Sequence, residues 1–208
     1  MRKTLVAAVL ALSSGIATAD PMSVGVRIGG YGFRREGDSS QTNQWTECRM
    51  NGVGVFANRT VRGPLFVEAG LDAYSSINQP EAQDLPIDRQ SALLSTAVGV
   101  RSNLVSWLSA YAQLGLGAEL TRVAVPYGDS SITANKVMPD GFFGVGAELR
   151  LGKTHFGAMM RTLVMGNFNY DPQRLQMTGQ WAQPSADQVF DATPSLAAQG
   201  QFYVRRDL

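Results

Sequence analysis

Acidic and basic side chains that could act together recur through the sequence, mostly in segments where they alternate with apolar residues. Gathered in an interior, such charges would have to pair, because moving an unpaired ion out of water costs several kcal/mol. Three interpretations follow, of which the first is favoured: a structural salt-bridge plug, a gate or narrow pore whose ions rearrange, and a carboxylate pair for acid–base catalysis. The predicted network comprises Arg27, Glu68, Asp72, Arg101, Glu119, Glu148, Arg150, Arg161 and Arg205.

In the segments that carry these charges, apolar residues occupy every second position, and this period of two is the period of a β-strand. From Leu108 to Leu120, leucine and alanine occupy every second position, while tyrosine, glutamine, glycine and glutamate occupy the others. Eight such strands are predicted, and the prolines are predicted to fall between them because a central strand loses a hydrogen bond at proline. The predicted strands are 23–34, 47–60, 65–74, 90–102, 108–120, 141–152, 155–167 and 195–207.

The connections between these strands alternate between short and long. Short connections follow the second, fourth and sixth strands. Long polar connections follow the first, third, fifth and seventh strands, at 35–46, 75–89, 123–140 and 167–194. This alternation is typical of an antiparallel up-and-down barrel with two unlike ends, in which short turns face the periplasm and long loops face outward.

Composition limits the possible function classes. The 208 residues suit one domain or at most two small ones, and the net charge of +1 argues against a strongly basic nucleic-acid binder. A single cysteine excludes an internal disulfide framework and a cysteine-based zinc site, and a single histidine excludes a histidine cluster. No metal and no cofactor is therefore indicated.

The two faces of the predicted strands indicate which side contacts lipid. The apolar faces are nearly free of charge, whereas the opposite faces carry the charges together with many glycines that leave room for long side chains. A membrane barrel is favoured, with a polar lumen and an apolar outer face. Two alternatives stay open at this point: a soluble barrel with its faces inverted, and a transmembrane helix over residues 102–118, which are uncharged but alternate with period two.

The pattern resembles the small eight-stranded outer-membrane barrels of the OmpA and OmpX type. The resemblance covers residues 20–208 and implies an all-β, antiparallel transmembrane barrel in the outer membrane of a Gram-negative-type bacterium. It also implies outer-membrane lipid and the barrel assembly machinery as partners. That machinery reads the last strand, where Phe202, Val204 and Leu208 share the outward face, although members of the family usually end on an aromatic residue.

The first residues predict an exported protein. Arg2 and Lys3 precede an apolar run, and Ala17-Thr18-Ala19 provides a small-x-small cleavage pattern. Residues 1–19 are therefore predicted to be a cleaved signal peptide, and residues 20–208 the barrel domain.

An enzymatic role is disfavoured. Some outer-membrane barrels are lipid A deacylases that use a Ser-His pair with an acidic partner, and such chemistry needs a base beside a nucleophile. Here the lone His155 follows Thr154, no His-Ser pair exists, and the ring is predicted to be solvated or interfacial at the periplasmic rim.

The long loops hold the remaining possibilities for binding. The longest, 167–194, contains three aromatic residues that could contact an extracellular ligand, namely Tyr170, Trp181 and Phe190. The predicted role is structural or interactive at the cell surface, through membrane integrity, adhesion or loop binding. The alternatives are a narrow pore or small-molecule channel, and then a soluble periplasmic ligand-binding barrel.

Overall fold

The computed structural model describes residues 22–33, 49–78, 87–127, 129–170 and 190–208 as a single closed sheet. Each strand pairs antiparallel with the next, and β1 pairs with β8 to close the ring. The prediction of an eight-stranded up-and-down barrel is therefore confirmed. The strands are β1 (Met22–Phe33), β2 (Arg49–Arg62), β3 (Leu65–Asn78), β4 (Ile87–Val105), β5 (Leu108–Tyr127), β6 (Ser130–Leu151), β7 (Thr154–Tyr170) and β8 (Phe190–Asp207).

Short turns connect the strands at the end that is periplasmic in barrels of this kind. The β2–β3, β4–β5 and β6–β7 connections each contain two residues. Two of these turns contain a glycine in the left-handed region, Gly63 with φ 56° and Gly152 with φ 64°. A side chain is strained in that region, so glycine suits both positions.

Several strands run further toward the other end than predicted. The segment 123–140, expected to be a loop, extends the β5–β6 hairpin as far as the pair Tyr127 and Ser130. The segment 167–194 likewise contains the end of β7 and the start of β8, which pair as far as Tyr170 and Phe190. These hairpins continue beyond the height at which the ring closes, where strands no longer have two neighbours.

The prediction that every proline lies between strands is wrong for three of them. β5 pairs with β4 only up to Ala124, β6 pairs with β7 only from Gly141 onward, and β8 pairs with β1 only from Ala197 onward. The three prolines all lie beyond these limits, where their strand has one neighbour and the missing N–H costs no ladder bond on the open side. They are Pro126 in β5, Pro139 in β6 and Pro194 in β8.

The apolar face of the sheet points outward. Leu114 and Leu116 are 63% and 71% exposed, whereas Glu119 on the other face of the same strand is fully buried. A soluble barrel would show the reverse, so this alternative is wrong. Residues 102–118, considered as a helix, belong to β4, a two-residue turn and β5. In the described part of the chain, no helix is long and apolar enough to cross a membrane.

The predicted signal peptide, residues 1–19, lies outside the described residues, as do residues 34–48, 79–86 and 171–189 of the long connections. The cleavage site and the start of the barrel domain at residue 20 therefore stay predictions.

A closed barrel with this outer face should resist detergent until it is heated. We expect the protein from an outer-membrane fraction to migrate differently on a dodecyl sulfate gel before and after boiling, because heat is needed to open a fully hydrogen-bonded ring. The matched control is the same sample unfolded in urea before loading. A single mobility under all conditions, or recovery in the soluble fraction, would contradict a lipid-embedded barrel.

Candidate functional site

Among the described residues, three clusters of polar side chains lie in the lumen at successive heights. The alternation of each strand sends every second side chain inward, and the register places inward side chains of neighbouring strands side by side. We call these groups the periplasmic, central and outer clusters. The periplasmic cluster is Arg101, Glu148, His155, Arg205 and Asp207; the central cluster is Arg27, Glu68, Asp72 and Arg161; the outer cluster is Tyr31, Arg89, Ser91, Glu119 and Thr121.

The central cluster joins opposite walls of the barrel. Arg27 holds Asp72 in a bidentate pair, with Nε–Oδ1 and Nη2–Oδ2 distances of 2.6 Å. Its Nη1 donates to Glu68 at 2.8 Å, and Arg161 donates to the same carboxylate oxygen at 2.9 Å. Glu68 is on β3 and Arg161 is on β7, which are diametrically opposed in a ring of eight. Their ion pair therefore crosses the lumen, and we call such a contact between opposed strands a crossing.

The periplasmic cluster makes a second crossing. Glu148 on β6 has its two oxygens 2.7 Å from Arg101 Nε and 2.6 Å from Arg205 Nε. Because these arginines lie on the opposed strands β4 and β8, the carboxylate links two walls. Arg205 also donates to Ser23 and to Asp207, each at 2.9 Å.

His155 belongs to the periplasmic cluster. Its Nδ1 lies 3.1 Å from Arg205 Nη2, and its Nε2 lies 3.1 Å from an oxygen of Asp207. Since a guanidinium can only donate, Nδ1 accepts, and the neutral ring carries its proton on Nε2 and donates it to Asp207. The ring lies at the predicted end of the barrel, but it is buried in the lumen, so the expectation of a solvated or interfacial histidine is wrong.

The outer cluster makes the third crossing. The Tyr31 hydroxyl on β1 donates to Glu119 on the opposed strand β5 at 2.8 Å. Ser91 connects the hydroxyl groups of Tyr31 and Thr121, each 3.2 Å away. Arg89 Nη2 lies 3.5 Å from Glu119 and supplies a nearby positive charge.

Aromatic rings fill the space between the clusters, and glycines make room for them. Six inward glycines each lie directly across the ladder from a ring and would place a Cβ against it. Arginines of the central and periplasmic clusters lie over some of these rings, with Arg161 4.4 Å from the Phe142 centroid and Arg101 4.6 Å from that of Phe66. The pairs are Gly25–Phe56, Gly52–Tyr74, Gly99–Phe66, Gly115–Phe142, Gly146–Tyr111 and Gly157–Tyr203.

The structure brings eight of the nine predicted network residues into ion pairs or hydrogen bonds across the lumen. The exception is Arg150, which is exposed at the periplasmic mouth, where its Nε donates to the Gly152 carbonyl at 3.2 Å. Of the three predicted loop aromatics, Tyr170 and Phe190 occupy strand positions that pair in backbone register, so their placement in a loop is wrong. Trp181 lies outside the described residues.

Sequence reasoning missed several lumen residues. Arg89 fell within a segment predicted to be a loop, although β4 begins before it. Arg89, Ser91 and Leu93 share the inward face of this strand, and Asp88 and Gln90 lie on the other face. Tyr31 and Asp207 stood on inward faces but were not assigned a partner, because one face of a strand does not reveal which strand lies opposite.

Two solved outer-membrane proteins share this architecture. Neisserial surface protein A is 11% identical with a TM-score of 0.56, and the match covers 93% of this chain and 100% of that chain. A major outer membrane protein from Thermus thermophilus is 13% identical with a TM-score of 0.62, and the match covers 92% of this chain and 100% of that chain. No protein-family model and no curated protein matches the sequence.

Fold and surface together define the class of protein. The closed ring of eight antiparallel strands, the apolar outer face and the two solved relatives show a small outer-membrane β-barrel with the OmpA/OmpX-type fold. The predicted location in the outer membrane of a Gram-negative-type bacterium agrees with this fold and with the apolar outer face.

Proposed function

We propose that this protein is a closed, non-conducting barrel whose role at the cell surface is structural or interactive. The observation that carries the proposal is the set of three crossings between opposed strands, by Glu68–Arg161, by Arg101–Glu148–Arg205 and by Tyr31–Glu119. An ion would have to displace each crossing in turn. Each displacement would expose a buried charge or hydroxyl without its partner, which is costly in a low-dielectric lumen.

The outer hairpins support the interactive part of the proposal. The β5–β6 and β7–β8 ladders continue past the closed part of the ring, as far as Tyr127–Ser130 and Tyr170–Phe190. A rigid, plugged barrel is a suitable scaffold for these extended hairpins, because segments held by a rigid scaffold lose less conformational entropy when they bind a partner. Likeness to a protein described as a surface protein agrees with this role. An extracellular ligand is proposed without its chemistry being assigned, alongside outer-membrane lipid and the assembly machinery as partners.

Conductance separates the plugged barrel from the narrow pore. We expect purified protein in planar bilayers to give no current steps above those of the bare membrane, because the three crossings close the lumen. Insertion is verified on the same preparation by flotation with lipid vesicles and by heat-dependent mobility. Reproducible discrete steps from inserted protein would overturn the plug and favour a pore whose ions rearrange.

A charge-balanced double variant tests whether the central crossing alone closes the lumen. Removing both partners of the central crossing, Glu68→Ala with Arg161→Ala, leaves the Arg27–Asp72 pair balanced and avoids an unpaired charge. We expect this variant to remain closed because two crossings persist. Conductance in this variant alone would show that the central crossing by itself closes the lumen.

A further inference from the structure

The periplasmic end of the lumen opens into a cavity of about 200 Å³. Arg205 lines it on the lumen side, and residues at the β4–β5 turn, among them Ser106, line it at the rim. Its lining is mixed: Val105 and Leu108 lie among hydroxyl and amide side chains. The lining also includes Arg101, Arg150 and His155. Arg101 and Arg205 belong both to this lining and to the periplasmic crossing, so the cavity lies directly against the periplasmic side of the plug.

The charge of this mouth is positive. Arg101, Arg150 and Arg205 contribute three positive charges, Glu148 and Asp207 contribute two negative charges, and His155 is neutral, which leaves a net charge of +1. The described residues of the surrounding rim add three basic groups, at Arg62, Lys153 and Arg206. Among these described residues, the rim has no carboxylate side chain besides that of Asp207, which is already counted. A cleft with a net positive charge raises the local concentration of anions.

Two guanidinium groups at the mouth retain donors for a ligand. Arg205 uses Nε, Nη1 and Nη2 on protein partners, which occupies four of its five N–H donors. Arg101 is paired with Glu148 only through Nε. Within the described residues, Arg150 donates only from Nε, to the Gly152 carbonyl, and its two terminal nitrogens are left for the cavity.

We propose that this mouth binds a phosphate group, held by the guanidinium groups of Arg101 and Arg150 on the periplasmic side of the plug. The planar fork of a guanidinium matches two phosphate oxygens, and such charge-assisted bonds are about twice as strong as neutral ones. At about 30 Å³ per water, the cavity has room for a phosphate group with some of its hydration waters. The group could come from a soluble phosphate in the periplasm or from a phospholipid headgroup of the inner leaflet.

His155 provides a direct reporter, because it is the only histidine in the chain and it lines the cavity. The full chain is folded in an uncharged, phosphate-free detergent, and the ring resonances of His155 are followed by NMR during titration with inorganic phosphate. The pH and the ionic strength are held constant by exchanging phosphate for chloride. We expect a saturable shift of the ring resonances.

Arg150→Gln is the test variant, since Arg150 is exposed and makes no ion pair that the fold depends on. It should weaken phosphate binding by about tenfold, which is the scale of one lost charge-assisted contact. Arg206→Gln is the matched control: it removes the same charge at the same rim, but Arg206 faces outward and does not line the cavity. An equal loss in both variants would reduce the effect to general electrostatic attraction and overturn the site.

The two sources are distinguished by adding phosphatidylglycerol to the micelles instead of soluble phosphate. A saturable His155 shift with the lipid, weakened by Arg150→Gln, identifies a headgroup site. A shift with soluble phosphate alone identifies a periplasmic ligand. No saturable shift with either probe, in protein shown to be folded by its heat-dependent mobility, overturns the proposal.

Discussion

Replacing Glu148 by Gln lowers the free energy of unfolding of the barrel by about 3–5 kcal/mol, the range seen when one partner of a buried ion pair is removed. Glu148 is 1% exposed and neutralises Arg101 and Arg205 together. The amide keeps the shape of the side chain but not its charge, and the remaining carboxylate, Asp207, pairs with Arg205 and His155 rather than with Arg101. Urea unfolding of protein folded into lipid vesicles measures the change.

Leu114→Ala is the control for a change on the opposite face. Leu114 is 63% exposed on the outer surface and contacts lipid, so its truncation loses transfer free energy of roughly 2 kcal/mol without leaving an unpaired group. The lumen substitution should therefore be the more damaging of the two. An equal or smaller loss for Glu148→Gln would count against an interior charge network.

A double-mutant cycle shows whether the cost comes from an unpaired cation. When Arg101→Gln is added to Glu148→Gln, the remaining Arg205 still has Asp207 at 2.9 Å. The double variant should therefore lose less free energy than the sum of the two single variants. Strict additivity would indicate that Arg101 and Glu148 contribute independently.

Strand identity and face were predictable because both follow from the period of two. Every predicted strand overlaps an observed one, and the inward assignment of residues such as Arg27 and Glu119 needs no tertiary information. Strand ends were less predictable. Pro126 and Pro139 suggested a loop, because the rule that excludes proline assumes neighbours on both sides, and above the closed ring each strand has only one.

The pairing of charges could not be predicted in the same way. Alternation tells which side chains enter the lumen, but the meeting of Glu68 with Arg161 depends on the heights of β3 and β7. Those heights depend on strand tilt and on the stagger accumulated around the ring, which are properties of the closed barrel. The same reason applies to Tyr31 and Glu119, whose partnership crosses the full width of the lumen.

The second large effect on the free energy of unfolding is expected when an inward glycine is replaced by alanine. Gly115→Ala should lower the free energy of unfolding by about 1–3 kcal/mol, the usual cost of adding volume to a well-packed interior. A Cβ at this position would lie against the Phe142 ring and 2.6 Å from the Thr96 carbonyl oxygen. The ring must shift, and because the carbonyl belongs to the ladder, relief of the second contact requires a change in the backbone as well. Urea unfolding in lipid vesicles measures this loss.

Gly200→Ala is the matched control, because a Cβ there would meet nothing within 4 Å. It should be neutral, or stabilise the barrel by up to about 1 kcal/mol through the lower entropy of the unfolded chain. Similar losses at both positions would mean that backbone freedom, not space for a ring, explains the glycines. A loss confined to Gly115 would connect the aromatic layer to the plug, because the displaced Phe142 ring lies beneath the Arg161 guanidinium that holds Glu68.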